Sequence, residues 1–319
     1  MRAVVLQAQG QPLSEVELPD PEPASGQLRL RVHACGVCRT DLHLRDSEIT
    51  APKLPVVLGH QIVASTDDGR RVGLPWLGWT DGTCHYCTTG RENLCPAARF
   101  TGRDIDGGYA ELTVADERYC LPLPDEKAFS TERVAPLLCG GLIGYRALRF
   151  TGEAHNLGLY GFGSAAHMIA QVAVHQGRNV FGFTRPGDAR TQKFAESLGA
   201  VWAGGSDEKP PEPLDAAIIF ASAGELVPQA LSVLAPDGIV VCAGIHMSRI
   251  PAFSYDLLYG ERKVCSVTNL TRQDGHEFLE LAQKIPVSTT VEVYELARAE
   301  QALGDLRAGR FEGSAVIVP

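Results

Sequence analysis

A glycine turn between an apolar run and a helix-like run constrains this chain more than any other feature. Residues 157–160 read as a buried strand, Gly161-Phe162-Gly163-Ser164-Ala165-Ala166 follows, and residues 164–176 have helical spacing. Each position of this G-x-G-x-x-A run has a physical purpose. Gly161 permits a tight turn out of the strand, Gly163 lets the backbone approach a pyrophosphate, and Ala166 is small enough for close helix–strand packing. Ser164 and Ala165 open the helix, whose free N–H groups and positive dipole end suit phosphates. Alone the motif is weak; after a strand and before a helix it predicts a dinucleotide site over a bland glycine turn.

The flanking pattern repeats the strand–helix theme. Strands are expected at 179–183, 216–220 and 239–243, the last after a Pro236-Asp237-Gly238 turn. Helices are expected at 188–198, ending at Gly199, and near 225–234. This alternation predicts an α/β fold with a Rossmann doubly wound parallel sheet over residues 141–266. Residues 1–140 read differently, with strands at 2–7 and 28–35, a Pro-rich turn at 19–23, short β-like runs and most of the cysteines. They predict a β-rich domain with functional loops, and the tail returns to mixed structure, with helix 275–284, strand 287–293, helix 297–308 and strand 314–318. Residues 134–150 have helical spacing and carry Cys139.

Composition narrows the class. With 319 residues, about two domains are expected. A net charge of −9 argues against nucleic-acid or anionic-membrane partners. The longest stretch without Asp, Glu, Lys or Arg, residues 154–177, holds three histidines, too polar for a lipid-facing helix. No signal peptide is read at the N-terminus, and nine cysteines, an odd number, favour metal sites or free thiols, so the cytoplasm is the expected compartment. At the end of the second strand of the sheet a carboxylate would bind the ribose 2′-OH of NAD. Here Thr184 and Arg185 stand instead, a hydroxyl and a guanidinium suited to a 2′-phosphate, so NADP(H) is favoured over NAD(H).

Cys38, His60 and Cys139 form a Cys-His-Cys set, which with an open fourth position is catalytic-zinc chemistry. Taken singly, each reads as a buried thiol or a core histidine. Their neighbours decide. Cys38-Arg39-Thr40-Asp41-Leu42-His43, Gly59-His60, Asp106-Gly107-Gly108-Tyr109-Ala110-Glu111, Leu138-Cys139-Gly140-Gly141 and the Gly161 turn together resemble the zinc-dependent medium-chain alcohol dehydrogenase family. The resemblance covers essentially the whole chain and implies that residues 1–140, with 267–319 returning to them, form a β-rich, GroES-like catalytic domain.

The resemblance also implies roles. Cys38, His60 and Cys139 hold the catalytic zinc, and substrate oxygen takes the fourth position. Thr40 passes the alcohol proton onward, His43 is the relay imidazole, Arg39 contacts the pyrophosphate, and Asp41 orients His60. Gly244 and Ile245 line the nicotinamide; Trp76 and Leu77, by their place before the cysteine lobe, are candidates for the substrate wall, and Trp76 equally for the domain core. Cys84, Cys87 and Cys95 match a second, structural zinc lobe whose fourth position is Asp81 rather than cysteine. Gln61 stands where the family usually has Glu after the ligating histidine, which leaves the metal more electrophilic but without a carboxylate for transient ligation. Cys35, Cys120, Cys242 and Cys265 read as buried hydrophobes, and His85 and His167 as structural.

The expected function is interconversion of a primary alcohol and its aldehyde with NADP(H), by a homodimer or homotetramer, with hydride exchanged in the cleft between the domains. Three alternatives stay open: a zinc-free quinone or enone reductase of the same superfamily, a non-catalytic nucleotide- and zinc-binding sensor, and, least, a Rossmann methyltransferase.

Overall fold

Apolar strands covered on both faces build the middle of the chain. In the computed structural model, which describes residues 1–124, 126–127, 129–285 and 287–319, six strands form one sheet. Their order is Trp202–Gly205, Asn179–Thr184, Asn156–Tyr160, Leu214–Ile219, Leu234–Cys242 and Lys263–Ser266. Every neighbouring pair is parallel, as the doubly wound reading requires. The order reverses between Asn156–Tyr160 and Leu214–Ile219, the switch point at which such sheets bind ligands beyond their carboxyl ends. Tyr160 stacks on Phe183 with centroids 4.0 Å apart, and both are buried; burying each such ring stabilises the fold by about 1.5–3 kcal/mol.

Some elements depart from the sequence reading. Trp202–Gly205 and Lys263–Ser266 carried no strand signal. The Pro236-Asp237-Gly238 run lies inside Leu234–Cys242, where Asp237 takes φ 63° and the pairing with Leu214–Ile219 shifts register. Residues 235–238 stand opposite the single Asp215 there and regular pairing resumes at Ile239, so the turn sits within one long strand. The helix expected near 225–234 stops at Ser232.

The chain divides into two compact units, Met1–Leu142 with Asn269–Pro319, and Ile143–Thr268. In the first, a seven-stranded sheet runs Leu121–Pro122, Arg71–Leu74, Ile62–Thr66, Gln27–Val37, Ser314–Val318, Val291–Glu295, and Leu112–Asp116 also pairs with Gln27–Val37. The C-terminal strand pairs antiparallel with the end of Gln27–Val37, Ala315 opposite Val37. The tail thus closes the sheet one residue before Cys38. Val291–Glu295 starts later than the expected strand at 287, and the last helix spans Ala299–Ala308.

The 134–150 segment is broken. Thr131–Val134 is helical, Ala135–Leu138 is a 3-10 turn, and Gly140–Phe150 is a second helix. Cys139, at φ −137° and ψ −69°, sits in the break. Gly140 and Gly141 weaken the helix there, and a Cβ at Gly141 would lie 2.4 Å from the Phe278 ring. All nine cysteines are free thiols. Cys35 and Cys242 are buried, whereas Cys120 and Cys265 are only partly so and fall short of the fully buried reading. Among the described residues, no helix is long and apolar enough to cross a membrane.

Candidate active site

The Cys-His-Cys set is assembled from three separate backbone devices. Cys38 is the N-cap of helix Arg39–Arg45, in extended conformation. His60 follows Gly59, whose φ of 91° and tight space are available only to glycine: a Cβ would lie 2.5 Å from the Tyr109 ring and 2.7 Å from Cys35 Sγ. Cys139 occupies the helix break. The three ligand atoms lie within 4.8 Å of one another, and the two sulfurs are 3.9 Å apart. Two thiolates at ~2.3 Å from one tetrahedral ion stand about 3.8 Å apart, so the sulfurs are spaced to share a cation. A disulfide would need them at ~2.05 Å.

Asp41 organises this set. Wholly buried, its Oδ2 accepts from Cys38 N at 2.9 Å and from the Tyr109 hydroxyl at 2.9 Å. Its Oδ1 accepts from Gly59 N at 3.3 Å and lies 3.4 Å from His60 Nδ1. The longer contact falls outside hydrogen-bond geometry, and His60 Nε2, equally buried, has no hydrogen-bond partner. A buried imidazole nitrogen without a partner is costly unless something else satisfies it, and a metal ion between the sulfurs would do so.

The charges agree. Burial opposes the charged form of His60, yet Asp41 and Cys38 outweigh it and hold the imidazole up to about 10. The hydrogen bond with Cys139 and the nearby His60 hold the Cys38 thiol well below its usual range. The same hydrogen bond, with burial, pushes Cys139 well above. Two sulfurs this close cannot both ionise without a positive charge between them. This pocket favours a cation.

Around the set, Thr40 is buried with its hydroxyl 3.6 Å from Cys38 Sγ, and Arg39 is exposed. Trp76 is buried and meets the His60 ring edge-on at 4.8 Å, with Phe100 stacked behind it at 5.0 Å. It is core and ligand support together. Leu77 has no exposed surface, which makes it core and not wall. Gln61 is buried with its Oε1 unpartnered. His43, also buried, pairs through Nδ1 with Glu48, a partner that no motif had marked.

Asp81, Cys84, Cys87 and Cys95 also bring their ligand atoms within 4.8 Å. Asp81 Oδ1 accepts from Thr83 N at 2.8 Å and Cys84 N at 2.9 Å, bonds that hold its carboxyl well below the usual range. The turn thereby presents an ionised oxygen to the three sulfurs. Burial leads the effects that push Cys87 up to about 11. His85 is exposed beside this lobe, with Arg91 2.9 Å from its Nε2.

In the second unit, Gly161 has φ 87° and would bring a Cβ to 3.0 Å from Ala221 N. Gly163 is exposed, and a Cβ there would meet nothing within 4 Å, so the space over the turn is open. Helix Ser164–His175 has no side-chain cap at Gly163, and a helix N-terminus of this kind suits a phosphate. Thr184 is buried, its hydroxyl placed to donate to Arg185 O at 3.0 Å or Gly204 O at 3.3 Å and to accept from Gln192 at 3.2 Å. That inward engagement leaves exposed Arg185 as the group facing solvent at the strand end. Gly244 is partly exposed and Ile245 is 52% exposed, unusual for an isoleucine.

A family model described as "Alcohol dehydrogenase GroES-like domain" matches residues 24–125. The chain is 44% identical to the Mycobacterium tuberculosis protein named "Probable alcohol dehydrogenase AdhA", over 96% of this chain and 93% of that one. A solved cinnamyl alcohol dehydrogenase from Sorghum bicolor is similar at 25% identity and TM-score 0.89, over 99% of this chain and 97% of that one. The alcohol dehydrogenase of the archaeon Aeropyrum pernix is similar at 25% identity and TM-score 0.90, over the whole of both chains. On these grounds the chain belongs to the zinc-dependent medium-chain alcohol dehydrogenase family of oxidoreductases.

Proposed function

We propose that this enzyme interconverts a small or medium primary alcohol and its aldehyde by hydride transfer with NADP(H), using zinc held by Cys38, His60 and Cys139. The observation that carries the reading is the convergence of two sulfurs 3.9 Å apart on a buried imidazole whose Nε2 has no hydrogen-bond partner. Zinc bound there supplies Lewis acidity toward the substrate oxygen. The Asp41 carboxylate, with Oδ1 3.4 Å from His60 Nδ1, favours the proton on that nitrogen and so leaves Nε2 as the ligand atom. Thr40 and His43 carry the alcohol proton away, with Thr40 beside Cys38 Sγ. Neutral Gln61 adds no charge to a site already balanced by two thiolates.

Asp81, Cys84, Cys87 and Cys95 hold a second, structural zinc in this proposal. The uncapped helix end at Ser164 and Ala165, the turn at Gly161 and Gly163, and Arg39 take the pyrophosphate, while Gly244 and Ile245 serve the nicotinamide. Arg185 supports NADP(H), because a guanidinium at the end of the second strand attracts a 2′-phosphate. Thr184 supports that strand end through its inward hydrogen bonds. Nine free thiols fit a reducing compartment, the cytoplasm. A homodimer or homotetramer is expected, and a monomeric mass in light scattering would rule it out.

The test is a spectrophotometric screen of zinc-loaded protein against primary alcohols and aldehydes with each cofactor. Aldehyde reduction is expected to be about tenfold or more efficient with NADPH than with NADH, and Arg185→Leu to erase most of that ratio. No turnover with any aldehyde would sink the activity. A ratio favouring NADH would sink the cofactor assignment alone.

A further inference from the structure

Glu48 carries no motif and stands half exposed, yet the fold brings it onto His43. Helix Arg39–Arg45 ends at Asp46, and Ser47 then takes φ 65°, a left-handed conformation that a non-glycine residue adopts at a cost. That single residue turns the chain back, so that Glu48 N and Ile49 N both donate to His43 O, at 2.9 and 3.1 Å. The returning segment is braced from elsewhere. Gln9 donates to Leu44 O at 2.6 Å and Ile49 O at 2.7 Å and accepts from Ala51 N at 3.1 Å. Arg45 pairs with Glu300, which also accepts from Leu13 N at 3.0 Å. Held this way, the Glu48 carboxylate meets His43 Nδ1. The His43 side chain is 8% exposed and that of Glu48 49%.

We propose that Glu48 is a positioning residue that fixes the tautomer and orientation of the His43 ring, a role resting on the reading of His43 as the proton-relay imidazole. An ionised carboxylate only accepts hydrogen bonds, so the ring proton must sit on Nδ1 and the lone pair on Nε2. Removing this partner takes away the constraint that keeps the proton on Nδ1, and only the tautomer with its proton there can receive another at Nε2. Glu48 touches neither substrate nor cofactor in this role. It also links the buried ring to solvent through its half-exposed carboxylate.

The experiment uses the zinc-loaded holoenzyme with 15N-labelled histidine. In the unaltered protein, His43 is expected to show a protonated Nδ1 and a lone-pair Nε2. Glu48→Ala is expected to give mixed tautomer signals at His43 and to lower kcat about tenfold while KM for aldehyde changes by less than about twofold. Glu48→Gln keeps an acceptor oxygen on the same stem and is expected to restore the pattern and most of the rate. A His43 pattern unchanged in Glu48→Ala overturns the proposal, whatever the rate. His43→Ala separates the two readings: full activity in that variant removes the relay role, while the nitrogen signals still decide whether Glu48 sets the ring.

Discussion

Replacing Cys139 with alanine is expected to remove one zinc atom per chain and to lower kcat/KM for aldehyde reduction by about three orders of magnitude or more. Cys139 is the most informative ligand to remove because its side chain does least for the fold around it. It lies in a helix break already permitted by Gly140 and Gly141, with its N–H weakly bonded to Pro136 O at 3.4 Å. Cys38, by contrast, caps a helix, and His60 packs against Trp76. Without the second sulfur, the remaining thiolate and imidazole offer a divalent ion two ligands rather than three, and affinity falls steeply. Cys87→Ala provides the contrast. It breaks the Asp81 lobe, so it too should lose one zinc, but its expected cost is to thermal stability, with kcat nearly kept. Elemental analysis and steady-state kinetics on both variants decide the matter. Two zinc atoms and unaltered turnover in Cys139→Ala would refute the assignment of the catalytic ion.

That test concerns residues the sequence singled out, and the reason they were legible is chemical type. Cysteine and histidine are informative because few side chains can ligate zinc, and the run from Cys38 to His43 adds neighbours whose identities are hard to explain separately. The glycine turn was legible for a related reason, since Gly161 and Gly163 have backbone needs that few residues meet. Strand Trp202–Gly205 was not legible because it is half glycine and exists by virtue of the edge offered by Asn179–Thr184. Lys263–Ser266 is an exposed edge strand without alternation, formed by pairing with Leu234–Cys242. The break at Cys139 hid within helical spacing because periodicity records which face is apolar and says nothing of φ and ψ at one residue.

The supports of the site were the least legible part. Glu48 is one acid among 38 acidic residues, and only the left-handed turn at Ser47 brings it to His43. Tyr109 lay within a motif quoted for resemblance, but its hydroxyl contact with Asp41 depends on pairing across 68 residues of sequence. A signal did exist for it, since Gly107 and Gly108 just before it demand close backbone approach. A Cβ at Gly107 would lie 2.0 Å from Gly59 O, next to His60 in the chain. Ligands declare themselves by chemistry, whereas the groups that aim them are set by tertiary contacts.

His167 carries the other large expected effect, on stability rather than rate. It lies in the first turns of the helix that follows the glycine turn, fully buried, with Nδ1 3.3 Å from Gly163 O and its ring 6.0 Å from Phe194. Because a carbonyl only accepts, Nδ1 carries the proton, and buried Nε2 has no hydrogen-bond partner. Burial lowers the imidazole to about 4, more than offsetting the hydrogen bonds to the Gly163 and Ser164 backbone. The unfolded chain takes up this proton near pH 6.5, well before the folded one does. Folding is therefore unaffected by His167 above about pH 7 and is penalised as pH falls through 6.5, the full penalty being reached below the folded value. A shift of this size corresponds to a loss of about 2–3 kcal/mol by pH 4.5. Urea unfolding at pH 7 and pH 4.5, compared between the unaltered chain and His167→Met, isolates the contribution. The variant cannot protonate there, so its loss between the two pH values should be smaller by that amount. Equal losses in both chains would show that His167 titrates normally in the folded protein, and that the ring beside the glycine turn is reached by water.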